Sequence, residues 1–157
     1  MSRRQKSLGI LIKSGRRIDP FAADVARILI EWFDSTTNMV GYLTLLKRVI
    51  QTAFYSLGTR TVSYLVFRVC DLCDEPSQSA SISSQCLELF DAVIRYGVVP
   101  RRCLSHLVRC LCRRAGRDEV SWQIMRNLLS SECGSQSFVA MLAVLDKPAR
   151  HRWVGGW

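Results

Sequence analysis

Seven cysteines and two histidines are the residues of this chain best suited to hold a metal or attack an electrophile. Cys70-Asp71-Leu72-Cys73 sets two thiols at the CxxC spacing. A structural zinc site needs four ligands, and no second pair follows. Thioredoxin-like redox chemistry needs a strand ahead of the motif, which this segment lacks. Cys103, His106 and Cys110 share one flank of a single helical stretch. Three ligands on one helix are too colinear to surround a tetrahedral ion, and no fourth is evident. The second histidine, His151, falls in the closing tail. Most of Cys70, Cys73, Cys86, Cys103, Cys110, Cys112 and Cys133 lie in apolar helical stripes or beside them, and their number is odd. Reduced thiols packed as small hydrophobes in an intracellular protein fit better than a disulfide framework. The carboxylates Asp71, Asp74 and Glu75 cluster at a helix end beside a loop, an ordinary solvated place.

No GxSxG, HExxH or phosphate-binding glycine loop occurs, and no nucleophile, base and orienter assemble. The chain is therefore expected not to be an enzyme, with no catalytic, cofactor-binding or metal-binding residues and no cofactor. One surface feature is sharper. Arg102, His106, Arg109 and Arg113 recur at i, i+4, i+7 and i+11, opposite the stripe Leu104–Leu107–Val108–Leu111. Like charges at this spacing destabilise an isolated helix by a few tenths of a kcal/mol each. This basic ridge is the candidate partner-facing site, suited to an acidic partner or a neighbouring segment; a merely solvated face is the plainer alternative.

The elements that carry these residues are helices. From Gln85 to Leu129 the chain reads as three helices joined by short turns. Cys86, Phe90, Val93 and Ile94 stack at the 3.6-residue period, and Gly97 is expected to supply a left-handed stop. Pro100 suits a first helical turn. Leu104, Leu107, Val108, Leu111 and Cys112 form the next stripe, up to Gly116. Asp118 then caps a helix with Val120, Ile124, Met125, Leu128 and Leu129 on one arc. Upstream, Asp19-Pro20 opens a helix with Phe21, Val25, Ile28, Leu29, Trp32 and Phe33 in phase. Asn38 caps a second, about Met39 to Leu57, with Leu43, Leu46, Ile50 and Phe54 on one face. A third starts near Thr61 with Val62, Leu65, Val66, Val69 and Cys73, and dies in Asp74–Ser79. A seventh, about Gln136 to Leu145, carries Phe138, Leu142 and Leu145 and is expected to stop before Pro148. Helices joined by turns this short must lie antiparallel.

The hairpins begin near Asp19, Thr61 and Val99, a step of about forty residues, the length of a HEAT or armadillo unit. The expected fold is all-α, a HEAT/armadillo-type solenoid segment of about seven helices over residues 18–147. A basic flexible arm, 1–17, precedes it and an irregular tail, 148–157, follows. The last helix lacks a partner, so the array is expected to be cut and to expose apolar flanks at both ends.

The net charge of +9 shrinks in importance once it is located. Arg3, Arg4, Lys6, Lys13, Arg16 and Arg17 crowd the arm, and Lys147, Arg150 and Arg152 follow Asp146. Between Ile18 and Leu145, 13 basic and 12 acidic residues leave the body nearly neutral, which argues against a nucleic-acid surface. No apolar run approaches the roughly 20 residues that span a membrane. The Arg- and Ser-rich, acid-free arm keeps mitochondrial import as a minor alternative to the cytoplasm.

Leu89-Phe90-Asp91-Ala92-Val93, Leu107 to Arg113 and, above all, Trp122-Gln123-Ile124-Met125-Arg126-Asn127-Leu128-Leu129 resemble the N-terminal helical-repeat domain of the tuberin family. The likeness extends over about residues 20–147, and the α subunits of Ral GTPase-activating complexes share the domain type. The resemblance implies a non-catalytic scaffold that binds a hamartin-like partner. The complex it implies activates GTP hydrolysis by the small GTPase Rheb and restrains TOR signalling. In that family the activating domain lies far C-terminal, so contact with the GTPase would run through a segment outside this chain. The asparagine by which that domain assists hydrolysis has no counterpart here; Asn127 belongs to the solenoid motif. Residues 147–157 depart from the family pattern. Two plainer readings remain, a generic solenoid adaptor and a mitochondrial helical-repeat protein.

Overall fold

The computed structural model describes residues 22–116 and 118–155, with side chains described for residues 24–116 and 118–145. The expected arm at 1–17 and the start of the first helix at Asp19, Pro20 and Phe21 lie outside the described residues. Seven helices occupy the described chain: α1 Ala22–Ser35, α2 Met39–Leu57, α3 Thr59–Asp74, α4 Ala80–Tyr96, α5 Arg101–Ala115, α6 Glu119–Leu129 and α7 Gly134–Gly155. No strand occurs among the described residues, and no described helix is long and apolar enough to cross a membrane.

Their packing is that of an α-solenoid. Within each hairpin α1 lies on α2, α3 on α4 and α5 on α6. Between hairpins, contact runs along the layers, α2–α4–α6 on one side and α3–α5–α7 on the other. The stripes meet between these layers in one core that includes Leu29, Leu43, Leu46, Val69, Phe90, Leu107, Leu111 and Leu128, each inaccessible to solvent or nearly so. Tyr42, which the helical period alone did not single out, is also fully buried, its hydroxyl donating to the Leu29 carbonyl at 2.8 Å.

Local chemistry sets the helix starts. Asn38 Oδ1 accepts from the Gly41 N–H at 3.0 Å, Ser79 Oγ from Ile82 N–H at 3.3 Å, and Asp118 Oδ1 from Val120 N–H at 2.9 Å. Each satisfies a donor that has no partner inside its helix. The Ser79 cap starts α4 at Ala80, five residues before the stretch at Gln85 where its stripe becomes plain. Gly58, at φ 82°, is the left-handed residue between α2 and α3.

Two expectations are corrected. Gly97 is not a left-handed stop: its backbone is extended, at φ −147° and ψ −154°. Its requirement is space, because a Cβ there would sit 2.4 Å from the Phe54 ring. The final helix, in turn, does not end before Pro148 but continues to Gly155, so residues 148–155 are helical rather than an irregular tail. A proline inside a helix removes one backbone donor and crowds the carbonyl four residues earlier, so the helix continues beyond it at a cost.

Candidate interaction surface

The ridge on α5 is half spoken for. His106 Nε2 lies 3.1 Å from Asp71 Oδ1, and its ring rests on Phe67 with centroids 4.8 Å apart. Arg113 Nη1 donates to Asp74 Oδ2 at 2.7 Å. Arg102 is exposed and Arg109 half-buried. The neighbouring segment that answers this charge is therefore α3. Asp71 and Asp74, which read as ordinary solvated carboxylates, are its acceptors. Comparable polar ties join other neighbours within a layer. Lys47 lies 3.8 Å from Glu88 across α2 and α4. Asn127 donates to Asp91 at 3.4 Å across α6 and α4. Arg68 of α3 pairs with Asp34 at the end of α1, its guanidinium 4.8 Å from the centre of the Phe33 ring. Such pairs, partly exposed, add little stability each.

The three candidate ligands on α5 part company. The Cys103 thiol donates to the Pro100 carbonyl at 3.4 Å, His106 faces Asp71, and Cys110 turns into the core. Among the described residues no group of three or more His, Cys, Asp or Glu side chains is disposed to hold a metal ion. The cysteines are free thiols and all but the half-buried Cys112 are buried. Cys70 and Cys73 of α3, Cys86 of α4 and Cys110 of α5 are all buried in the shared core.

The apolar surface is uneven. On α7, Ser137 is fully buried and Ala140 and Met141 pack on the core, while Phe138, Val139, Leu142 and Leu145 face outward at 50, 66, 49 and 59% exposure. On α6, Val120 and Trp122 are also exposed, although Val120 reads as part of the buried arc. Trp122 thus supplies surface, whereas Met125 and Leu128 of the same element supply core.

Two open grooves lie where the turns line up. One, of about 390 Å³, is bordered by Phe54, Tyr55, Val98, Pro100, Arg101 and Gln136. The other, of about 730 Å³, is bordered by Cys73, Asp74, Leu87, Arg113, Arg114 and Asp118.

No solved structure matches the chain. A family model described as "Domain of unknown function (DUF3384)" matches residues 3–153, nearly the whole length. The chain belongs to that family, DUF3384.

Proposed function

We propose that this chain is a non-catalytic helical-repeat scaffold that works by binding protein. The supporting observation is the outward face of α7, where Phe138, Val139, Leu142 and Leu145 stand in water with no covering element among the described residues. Fully burying one such side chain contributes roughly 1.5–3 kcal/mol, so a partner helix laid along this face has several kcal/mol to gain. The α5 ridge is the weaker candidate, since α3 already pairs with two of its four members.

The resemblance to the tuberin family makes the reading specific. A hamartin-like protein is the partner, the complex stimulates GTP hydrolysis by a Rheb-like GTPase, and the outcome is restraint of TOR signalling. On this reading the chain is cytoplasmic, meets membranes only through its complex, needs no cofactor and does not bind nucleic acid. The test is a binding titration of the purified chain against a hamartin-like protein, with Leu142→Asp as the probe. Saturable binding that Leu142→Asp weakens at least tenfold, with melting unchanged, supports the proposal. Equal affinity for both chains removes α7 as the docking face, and no binding by either removes the tuberin-like partner. A generic adaptor would then be the better reading.

A further inference from the structure

The two members of the α5 ridge that α3 leaves unpaired stand beside the apolar face of α7. At about 100° per residue, Arg102 and Arg109 fall between His106, which reaches Asp71 of α3, and Arg101, which reaches Gln136 of α7. With the Gln136 amide oriented oxygen toward Arg101, that oxygen accepts from Nε at 3.3 Å and from Nη2 at 2.7 Å. Arg101 is the first residue of α5 and Gln136 the third of α7, so the two helices start level. Both run antiparallel to α6 and therefore in one direction. Gln136, Val139 and Leu142 follow at three-residue steps, so the exposed apolar row of α7 begins on the side of α5.

We propose that the outward seam between α5 and α7 docks an acidic amphipathic helix of a partner protein. Its apolar stripe covers Val139 and Leu142, and its carboxylates meet Arg102 and Arg109. This occupant rests on the reading of α7 as a docking face. Charge complementarity selects it. Residues 101–115 and 134–145 contain no acidic residue. The Asp71 and Asp74 carboxylates of α3 are taken by His106 and Arg113, and neither Arg102 nor Arg109 has a carboxylate partner among the described residues. The guanidinium fork matches a carboxylate, and such matched charges choose the partner and its register.

Spacing selects a helix. Arg102 and Arg109 are two turns apart along α5, a rise of about 10.5 Å. Phe138 and Leu145 are separated by the same two turns on α7, and the Arg101–Gln136 bond sets the two rows at nearly the same levels. A helix laid along the seam repeats its own side chains at i and i+7 with that rise. One flank then presents a carboxylate to each arginine while the adjoining stripe covers the apolar row. An anionic membrane is the other surface with this chemistry. It is held by clusters of about four to eight cations, whereas the outward row of this seam presents Arg102 and Arg109 at one fixed separation.

The experiment titrates the full chain against a labelled helical peptide, monomeric by sedimentation, with leucines on one stripe and glutamates along its flank. A counterpart carries lysine at every glutamate. The glutamate peptide should bind at least tenfold tighter than the lysine peptide, and its advantage should fall with added salt. Arg102→Gln with Arg109→Gln should erase that preference, and Arg102→Glu with Arg109→Glu should reverse it, an outcome that damage to the fold does not produce. Leu142→Asp should weaken both peptides. Circular dichroism checks that each variant is folded; where one is not, the preference of the unmodified chain and its salt dependence decide. Equal affinity for the two peptides, weakened alike by Leu142→Asp, would overturn the acidic partner and leave α7 as a docking face. Binding that Leu142→Asp leaves unchanged would overturn both. Failure of either peptide to bind overturns the proposal, as does capture by phosphatidylserine vesicles that the double glutamate variant abolishes. The titration with a hamartin-like protein then judges the scaffold reading by itself.

Discussion

The first and last described helices carry the same kind of apolar stripe and meet opposite fates. On α1, Val25, Leu29, Trp32 and Phe33 are between 0 and 7% exposed. On α7, Phe138, Leu142 and Leu145 repeat at i, i+4 and i+7 and remain about half exposed. The expectation that both ends of the array would present apolar flanks is therefore corrected at α1 and matched at α7. Neighbours make the difference. Tyr42 of α2 meets Trp32 and Phe33 edge-on, with ring centroids 4.9 and 5.3 Å away, and Arg68 of α3 lies over Phe33. α7 instead packs on α5 and α6 through its smaller face, Ser137, Ala140 and Met141, and turns its larger residues outward. A stripe therefore identifies a helix without deciding which face the fold will use.

The largest expected contrast comes from truncating the two stripes. Leu29→Ala removes a side chain with no solvent exposure, and the cost should be about 2–5 kcal/mol by urea denaturation. Leu142→Ala at the other end should fall within about 0.5 kcal/mol of the unmodified chain. A large loss at Leu142 would mean that the outward face of α7 is covered in solution, for example by a second copy of the chain. Sedimentation of both variants would reveal that.

A smaller effect sharpens the same lesson at two turns. Gly97→Ala forces a Cβ to 2.4 Å from the Phe54 ring, so α2 must give way, at about 1–3 kcal/mol. Gly116 has right-handed backbone and nothing within 4 Å of its would-be Cβ. Gly116→Ala should be neutral or stabilise by up to about 1 kcal/mol, since it only restricts the unfolded chain. Equal melting temperatures for the two variants would show that Phe54 moves aside freely.

These cases show how much was legible. The all-α class, the seven helices and most core positions follow from the 3.6-residue period, because a helix buries one stripe whatever its neighbour. Asn38 and Asp118 were readable as caps because a cap is a local contact. The role of Gly97 and the pairing of Asp71 and Asp74 with the α5 ridge depend on helices stacking at a particular register. No spacing within one helix reports that register. For the ridge, residues and period were readable, but the partner lay on another helix.

The covered end also has its own pH signature. Burial, and then the Asp34 charge, raise the Tyr42 hydroxyl well above its ordinary 10.0, so it stays neutral in the fold. A group held neutral in this way contributes stability that is present below pH 10. That stability is lost as the unfolded chain ionises above it, at about 1.4 kcal/mol per pH unit. Burial pushes Cys103 up to about 12 in the same sense, so the decline should start nearer pH 9, the thiol range. Tyr42→Phe isolates the phenol. It should cost about 1 kcal/mol at pH 7 for the lost bond to Leu29 and shrink that deficit as pH passes 10. Parallel stability curves from pH 8 to 11 would show that Tyr42 ionises as readily in the fold as outside it.

The smallest expected effect separates the two ends by their polar ties. Arg113 and Asp74 join α3 to α5 in the interior of the array, their side chains 53 and 23% exposed, and solvent screens much of their attraction. A double-mutant cycle with Arg113→Ala and Asp74→Ala should return a coupling of about 0.2–1 kcal/mol, declining with added salt as screening shortens. Arg68 and Asp34 at the covered end should give the larger coupling, because a hydrogen bond to Tyr64 at 2.7 Å fixes the geometry in which Arg68 meets Asp34; Arg68 also lies over Phe33. Stacking on an aromatic face adds roughly 0.5–1 kcal/mol at a partly exposed site and does not depend on the Asp34 partner. Asp34→Ala alone should therefore cost less than Arg68→Ala, and the difference should persist in high salt. If both couplings vanish at physiological ionic strength, the covering of α1 rests on Tyr42 and its two ring contacts alone. The contrast between the two ends would then be one of aromatic packing.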